Sequence, residues 1–320
     1  MKNLIKRALI GVLAGVMLIT SPAVAKASDN GSLLREKVQK AFEMPPRDYD
    51  GTVIEATDYN GADFVCYKIM LWDDELVKET DPVYIKIVDD STVEVVGWKY
   101  EGTGKIYIDG SEINDTYGIK LNKVIVDSFK GDKNLKYFKI EDIPKVELKK
   151  NGFKDCTNLE AFSASIINLP EGVFKNCKKM DSNIFINANT TSKIGKSAFE
   201  NSGVPSITIN NAHKFKSFGE SAFKNCRDLE EIELISPKFK NSKSVLKYYK
   251  NNTKIKINKQ TFKGAGSAIK QDVLFHITWA DYYGSYHYGF GNDCSDFANG
   301  KLPDNFWVSY TDPDGYAENR

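Results

Sequence analysis

The chain has 320 residues, and its 44 lysines and arginines almost balance its 43 aspartates and glutamates to give a formal net charge of +1. The balance hides three regions: residues 28–120 have 10 basic and 20 acidic residues, 121–267 have 27 and 15, and 268–320 have 3 and 8. The lysines of the middle region are spread along its whole length and no nucleic-acid recognition motif accompanies them, so nucleic acid is not an expected partner.

Residues 1–27 have the pattern of a secretory signal peptide. Three basic residues precede an apolar run over residues 8–20, and A-x-A cleavage sites end at Ala25 and Ala27. The run is too short for a membrane-spanning helix, and no cysteine near the cleavage sites indicates a lipid anchor. We expect a bacterial protein that is secreted or held at the cell surface, without an integral membrane segment after cleavage.

Residues 28–120 predict a small β-rich domain of α+β type. Leu33, Leu34, Val38 and Phe42 recur at a helical period, so a helix is expected over Ser32–Phe42, before two prolines. Short β-branched and aromatic runs follow, and we expect strands over Thr52–Ala56, Phe64–Leu71, Val83–Val88, Thr92–Tyr100 and Lys105–Ile108. The segments Asp89–Ser91 and Gly102–Gly104 have the composition of hairpin turns.

Residues 121–267 contain about six repeats, each marked by a phenylalanine that follows an apolar residue five positions earlier. The successive spacings are 24, 21, 25, 24 and 39 residues, which is typical of a leucine-rich-repeat solenoid. We predict that these rings stack as a buried ladder. The six phenylalanines are Phe129, Phe153, Phe174, Phe199, Phe223 and Phe262.

Apolar residues near positions +6, +9 and +11 from each phenylalanine predict one short strand per repeat. The Phe174 repeat has one extra residue and the Phe199 repeat one fewer. Stacked strands would form a parallel sheet in a short right-handed α/β solenoid. The insertion around residues 238–252 is expected to form a projecting helical turn.

Three cysteines follow ladder phenylalanines by three residues: Cys156, Cys177 and Cys226. Ser202 has the same position in the Phe199 repeat, which predicts a small buried niche filled by reduced thiols. Parallel Cβ vectors on neighbouring repeats are poor geometry for a disulfide. A bridge between Cys66 and Cys294 stays open, and no spacing of cysteine or histidine predicts a metal site.

These repeats resemble the BspA-like leucine-rich repeats of bacterial surface proteins. The pattern Ile-Gly-x-x-Ala-Phe-x-x-Cys-x-x-Leu-x-x-Ile-x-Leu is similar to residues 218–234, and shorter matches occur at 194–199 and 169–177. The resemblance implies an extracytoplasmic protein, often one that mediates adhesion or surface interaction. Its partners are diverse within the family, so an extracellular protein and a glycan both remain open.

Outward positions within the repeat strands are the candidate ligand face. Phe185 is an aromatic residue where solvent is expected, between Asn183 and Asn187, and is a candidate contact unless a register shift turns it inward. The basic excess of the repeats could attract acidic glycans, or the lysines could simply hydrate the surface. The ligand-face candidates are Lys139, Ser163, Phe185, Thr208, Glu233 and Lys256.

Residues 268–320 are rich in tyrosine and tryptophan and predict a cap over the last repeat, with a final strand at Val273–Ile277. Their rings could alternatively stack on sugars. Residues 312–315 echo part of a calcium loop, but the other ligand positions are missing, so a turn is expected.

Catalysis would have to use Cys294 with His276 or His287 and Asp296, and no peptidase signature surrounds that cysteine. We therefore predict a non-enzymatic binding protein without a cofactor. The alternatives are an architectural envelope component without an external ligand and, more remotely, a cysteine hydrolase.

Overall fold

The computed structural model describes residues 31–44, 50–72, 75–236, 255–280, 286–288 and 302–310. Helix α1 spans Ser32–Phe42 and helix α2 spans Gly110–Tyr117. The strands of the described residues, in chain order, are β1 Gly51–Glu55, β2 Phe64–Trp72, β3 Glu75–Lys78, β4 Val83–Asp89, β5 Thr92–Trp98, β6 Lys105–Asp109, β7 Lys123–Val126, β8 Tyr137–Glu141, β9 Val146–Leu148, β10 Ala161–Ser163, β11 Ile184–Asn187, β12 Lys193–Ile194, β13 Ser206–Asn210, β14 Ser217–Phe218, β15 Glu231–Ser236, β16 Val273–Ala280, β17 Tyr286–Tyr288 and β18 Phe306–Tyr310.

The amino-terminal part of the chain forms an antiparallel sheet covered by α1. Strands β1 to β5 pair in the order β1-β2-β4-β5, with β3 also against β2. Helix α1 buries Leu34, Val38 and Ala41, which share one face at helical spacing, as its sequence predicts. Helix α2 and strand β3 were not predicted, because their short, polar or fully exposed sequences have no clear hydrophobic period.

The two predicted hairpin turns have different outcomes. Asp89–Ser91 joins the antiparallel strands β4 and β5, which confirms the first. The prediction for Gly102–Gly104 is wrong, because the following strand β6 pairs with β8 in another sheet and does not return along β5. Gly104 has a φ of 69° and lies so close to the next repeat that a Cβ would stand 2.6 Å from the carbonyl oxygen of Asn134.

Parallel pairing carries both sheets from the amino-terminal region into the repeats. Strand β5 pairs with β7, which pairs with β9, so the first sheet becomes parallel at this point. Strand β6 pairs with β8 and β8 with β10, which starts a second face of parallel strands. Further along, β11, β13, β15 and β16 continue this second face in register.

The predicted ladder of phenylalanine rings is confirmed. The six rings are stacked in sequence order, with successive centroid separations of 5.2, 5.4, 5.4, 5.2 and 5.3 Å. Each ladder ring is at most 1% exposed. The first repeat departs from the predicted five-residue spacing. The register partner of Leu148 is Val126, which lies three residues before Phe129, and not Val124. Stacked rings at this separation bury large apolar areas against one another, which no single repeat could do.

The chain turns sharply two residues after each ladder phenylalanine. All six residues at this position have a positive φ, where glycine, asparagine and aspartate are favoured. They are Gly131, Asp155, Asn176, Asn201, Asn225 and Gly264. The amide side chains also connect neighbouring repeats: Asn225 donates to Asn201 at 3.0 Å, and Asn201 donates to Asn176 at 2.9 Å.

Strands from the carboxy-terminal region extend the second face. The predicted strand at Val273–Ile277 is present and continues to Ala280 as β16, which pairs in parallel with β15. Strand β18 pairs with the other edge of β16, and the Phe306 ring packs on Phe262 at 5.2 Å. Phe306 thus packs on the last ladder ring, and the cap over residues 268–320 stays a prediction. The insertion at 238–252 and most of the aromatic tail lie outside the described residues.

Candidate binding face

One row of side chains points outward across the second face of the repeats, and we call it the outward row. Its members are aligned by strand register within each of two sheets. The outward row consists of Tyr107, Lys139 and Ser163 on β6, β8 and β10, and of Phe185, Thr208 and Glu233 on β11, β13 and β15. Five of the six predicted ligand-face residues therefore share one surface; their role in binding stays a prediction.

The sixth predicted residue, Lys256, does not belong to this face. It forms a parallel bridge with Ser217, on the side of the repeat that precedes the ladder phenylalanine. The register partner of Glu233 in the next strand is His276 instead. The prediction was wrong because the segment Ile255–Ile257, which forms an isolated bridge and no strand, leads into Phe262, whereas it was grouped with the strands that follow a ladder phenylalanine.

Phe185 is the most exposed large apolar side chain in the described part of the chain, at 63%. Its neighbours Ile184 and Ile186 are buried, so β11 alternates regularly and no register shift turns Phe185 inward. A rigid strand paired with β13 therefore presents an aromatic ring to solvent. Such a ring is a candidate contact because it is large and loses little conformational entropy on binding.

The outward row is interrupted between β10 and β11, which belong to different sheets. The extra residue in the Phe174 repeat lies in the segment that separates them. The backbone N–H of Asp181 still donates to Glu160 at 2.8 Å, but the N–H of Phe162 donates to the Ser182 hydroxyl at 3.1 Å. A side chain thus takes the place of a strand partner, and the sheets separate beyond this point.

A groove of about 460 Å³ follows this separation. Its floor is formed by the small residues of β10 and the segment after it, Ala161, Ser163 and Ala164. Tyr137 on β8 and Phe185 on β11 stand on opposite sides of that floor. Small side chains between two large ones create a depression on an otherwise flat strand face. We call this depression the sheet-break groove.

At the end of the groove near Lys139, polar and charged groups pair with each other. The Tyr107 hydroxyl contacts the Glu141 carboxylate and lies 3.0 Å from that of Asp109. Burial, followed by these two carboxylates, raises the pKa of Tyr107. The ring also lies 4.7 Å from the ammonium of Lys68 and 5.0 Å from that of Lys139.

Lys139 forms a 2.6 Å ion pair with Glu141, and its hydrogen bond holds the pKa of that carboxyl below its usual range. This end of the outward row is therefore compact and locally balanced in charge.

Elsewhere on the repeats, lysines pair with glutamates of neighbouring turns. Glu200 lies 2.6 Å from Lys175 and 3.5 Å from Lys224, and Lys196 lies 2.8 Å from Glu220. These partly exposed pairs stabilise the structure only slightly. These lysines are therefore neutralised locally, and none of them lines the sheet-break groove.

The repeat cysteines are buried structural thiols. Each donates its S–H to the carbonyl of the ladder phenylalanine in the preceding repeat: Cys156 to Phe129 at 2.8 Å, Cys177 to Phe153 at 3.1 Å, and Cys226 to Phe199 at 2.8 Å. Burial raises the pKa of Cys156 to about 12 and that of Cys177 well above its ordinary value. They are unsuited to nucleophilic chemistry.

Cys66 is also a free, buried thiol in the amino-terminal sheet, and burial raises its pKa to about 12. Cys294 and Asp296, and the calcium-like segment at 312–315, lie outside the described residues. Within the part of the chain that the structure describes, no cluster of three or more histidine, cysteine or acidic residues is arranged to hold a metal ion.

The sequence did not single out Tyr107, Tyr137 or Ala161, although it did single out Ser163 on β10. Tyr137 lies two positions before Lys139 on β8. It can form a wall of the groove because its register partner on β10, Ala161, has a small side chain. The sequence did contain a signal for the groove: the Phe174 repeat has one extra residue, and the strand of the repeat before it has small outward residues.

The chain belongs to the BspA type leucine rich repeat family. Six copies of this repeat region match over residues 118–229 and 167–278, which together span half of the chain. No curated protein matches the sequence.

Two solved structures are similar to parts of the chain. A leucine-rich repeat protein from Bacteroides ovatus ATCC 8483 is 14% identical with a TM-score of 0.35, and the match covers 70% of this chain and 58% of that one. A leucine rich cell surface protein from Faecalibacterium prausnitzii A2-165 is 15% identical with a TM-score of 0.28, and the match covers 49% and 54%. The chain thus spans little more than half the length of either protein.

Among the described residues, neither helix combines the length and apolar character needed to cross a membrane.

Proposed function

We propose that this protein is exported and acts, without catalysis, as a binding module whose contact surface is the outward row. In this proposal the repeats form a short right-handed solenoid that displays one face to an extracellular protein or glycan. Family membership and the signal-like pattern of residues 1–27 support the cellular location.

The observation that carries the proposal is the exposure of Phe185. Its ring is 63% exposed on a strand whose flanking side chains are buried. An exposed aromatic residue on a rigid element is a typical anchor of an interaction surface, because its position is fixed before the partner arrives. The sheet-break groove beside it supplies a concave surface with polar groups.

Buried thiols favour a non-enzymatic role. The repeat cysteines are used in hydrogen bonds to ladder carbonyls and have raised pKa values. A hydrolase that uses Cys294 remains the remote alternative. It predicts an activity that disappears in Cys294→Ser, and an activity that survives this substitution would eliminate it.

An architectural envelope component is the second candidate, and one surface favours it. Leu71, Trp72, Leu76 and Val77 on β2 and β3 are all more than 40% exposed. An apolar hairpin of this kind is suited to packing against another protein of the envelope.

The test is an array of purified extracellular-matrix proteins and glycans, probed with the chain lacking residues 1–27. The binding proposal predicts dose-dependent binding to at least one component, with strong loss in Phe185→Ala and unchanged binding in Trp72→Ala. Absence of binding to every component would contradict the proposed function and favour the architectural alternative.

A further inference from the structure

The sheet-break groove has the dimensions of a small-ligand site. Its volume of about 460 Å³ falls within the range of pockets that hold small molecules, and it lies on rigid strands. A protein partner would instead cover a broad area of about 800 Å² on each side. The groove is therefore suited to a short segment of a polymer or to a compact ligand.

Two aromatic rings form its walls. The Tyr137 hydroxyl donates to the Glu160 carboxylate at 2.7 Å, which fixes the ring on β8, and the ring is 38% exposed. Phe185, on β11, also lines the groove and is more exposed. The π faces of such rings carry partial negative charge and attract the weakly positive C–H groups on the flat side of a sugar ring.

Polar side chains lie between and beside these walls. Ser163, Asp181 and Asn183 supply a hydroxyl, a carboxylate and an amide at the groove. Within the described residues, no hydrogen bond or ion pair engages these three side chains. Together they contain donors and acceptors that match the paired donor and acceptor capacity of sugar hydroxyls.

The charge of the groove favours a neutral ligand. Lys139 is the cation that lines it, and its ammonium is already paired with Glu141 at 2.6 Å. Asp181 adds a negative group that would repel a polyanion.

An extended peptide fits the groove less well than a sugar. A peptide that adds as a strand needs free backbone groups along a sheet edge. Here the N–H of Phe162 is bound by the Ser182 hydroxyl, and the carbonyl of Glu160 accepts from Asp181. The edge of β10 that faces β11 is thus partly occupied at the point where a peptide would begin to pair.

We propose that the sheet-break groove binds a short stretch of neutral oligosaccharide, with one sugar ring stacked on Phe185 and flanked by Tyr137. Ser163, Asp181 and Asn183 bind its hydroxyls. This inference rests on the proposed function and specifies the class of ligand for the same face.

The test is calorimetric titration of the chain lacking residues 1–27 with chitotetraose, cellotetraose and maltotetraose. We expect saturable binding of at least one of them, weakened about tenfold or more in Phe185→Ala and in Tyr137→Ala. Ala161→Leu should also weaken binding, because the larger side chain fills the floor. Trp72→Ala, which removes an equally exposed aromatic side chain elsewhere, should bind as the unmodified chain does.

Circular dichroism of each variant checks that it is folded. Failure of all three sugars to bind at millimolar concentration would overturn the inference, as would binding unaffected by Phe185→Ala. Phe185-dependent binding to an array protein without sugar binding would overturn the inference and leave the proposed function standing. Absence of both kinds of binding would overturn both.

Discussion

At the scale of single residues, the repeat phenylalanines decide the stability of the fold. Their spacing alone identified all six ladder positions, because a buried ring at a fixed place in every repeat is a strong periodic signal. The same alignment located the cysteines but not their hydrogen bonds to ladder carbonyls. A hydrogen bond between two repeats depends on how the repeats stack, and this cannot be predicted from the sequence of one repeat.

Phe174→Ala should reduce the free energy of unfolding by about 3–5 kcal/mol, because it removes a ring stacked on both sides and leaves a cavity. Urea denaturation followed by circular dichroism measures the change. Phe185→Ala is the matched control and should alter stability by no more than about 0.5 kcal/mol, since its ring is mostly exposed. Equal effects of the two substitutions would contradict the ladder.

The thiols of Cys156 and Cys177 should resist alkylation by iodoacetamide at pH 8 in the native protein. A free cysteine has a pKa of about 8.5 and is partly thiolate at this pH. Burial raises the pKa of Cys156 to about 12, so its reactive thiolate form is suppressed until the pH is far above 8. Peptide mapping by mass spectrometry should show modification of both residues only after denaturation. Rapid modification in the native state would show that the niche is open.

At the scale of elements, the corner after each ladder phenylalanine requires a left-handed backbone conformation. Asparagine, aspartate or glycine occupies this position in all six repeats, which was visible in the sequence but was not used. The side-chain contacts among Asn176, Asn201 and Asn225 were not predictable, because they depend on equal spacing of corners along the stack.

Asn201→Ala should destabilise the protein more than Asn201→Gly. Alanine in a left-handed conformation costs about 1–2 kcal/mol, whereas glycine adopts it freely and loses only the amide contacts to Asn176 and Asn225. Denaturation curves of the two variants give the order of their stabilities: when the slopes of the transitions are the same, the variant with the lower midpoint is the less stable one. An alanine variant as stable as the glycine variant would mean that the corner relaxes to another conformation.

The separation between β10 and β11 shows a second limit of sequence reasoning at this scale. The extra residue in the Phe174 repeat was counted correctly, but a count does not say whether the residue forms a bulge or divides the sheet. The structure shows division, with the Ser182 hydroxyl bound to the N–H of Phe162. Lys256 was misplaced for another reason: it lies before Phe262, whereas the strand that follows Phe262 on this face is β16.

At the scale of the whole molecule, the amino-terminal sheet and the repeats share one hydrophobic core. A single cluster of buried residues extends from Leu34 to Phe275. The change in charge near residue 120 does not mark a break in structure, because β5 pairs with β7 across it. Composition can locate a change of surface, but only the strand pairing shows that the first repeat packs on the domain before it.

This continuity keeps the outward row rigid. Tyr107 comes from the amino-terminal region and Lys139 from the first repeat, yet they are register partners on adjacent strands. The position of Phe185 relative to Tyr137 is likewise set by strands and not by a loop. The proposed binding face therefore depends on the integrity of the entire stack.

Hydrogen–deuterium exchange in increasing urea, comparing the unmodified chain with Phe174→Ala, tests this shared core most directly. It reports the unfolding midpoint of each peptide separately. We expect the peptides that cover β5, β9 and β15 to unfold at one common midpoint, and that midpoint to fall equally for all three in the variant. If β5 keeps its midpoint while β9 and β15 unfold earlier, the amino-terminal sheet and the repeats are independent units, and the account of a single continuous core is wrong.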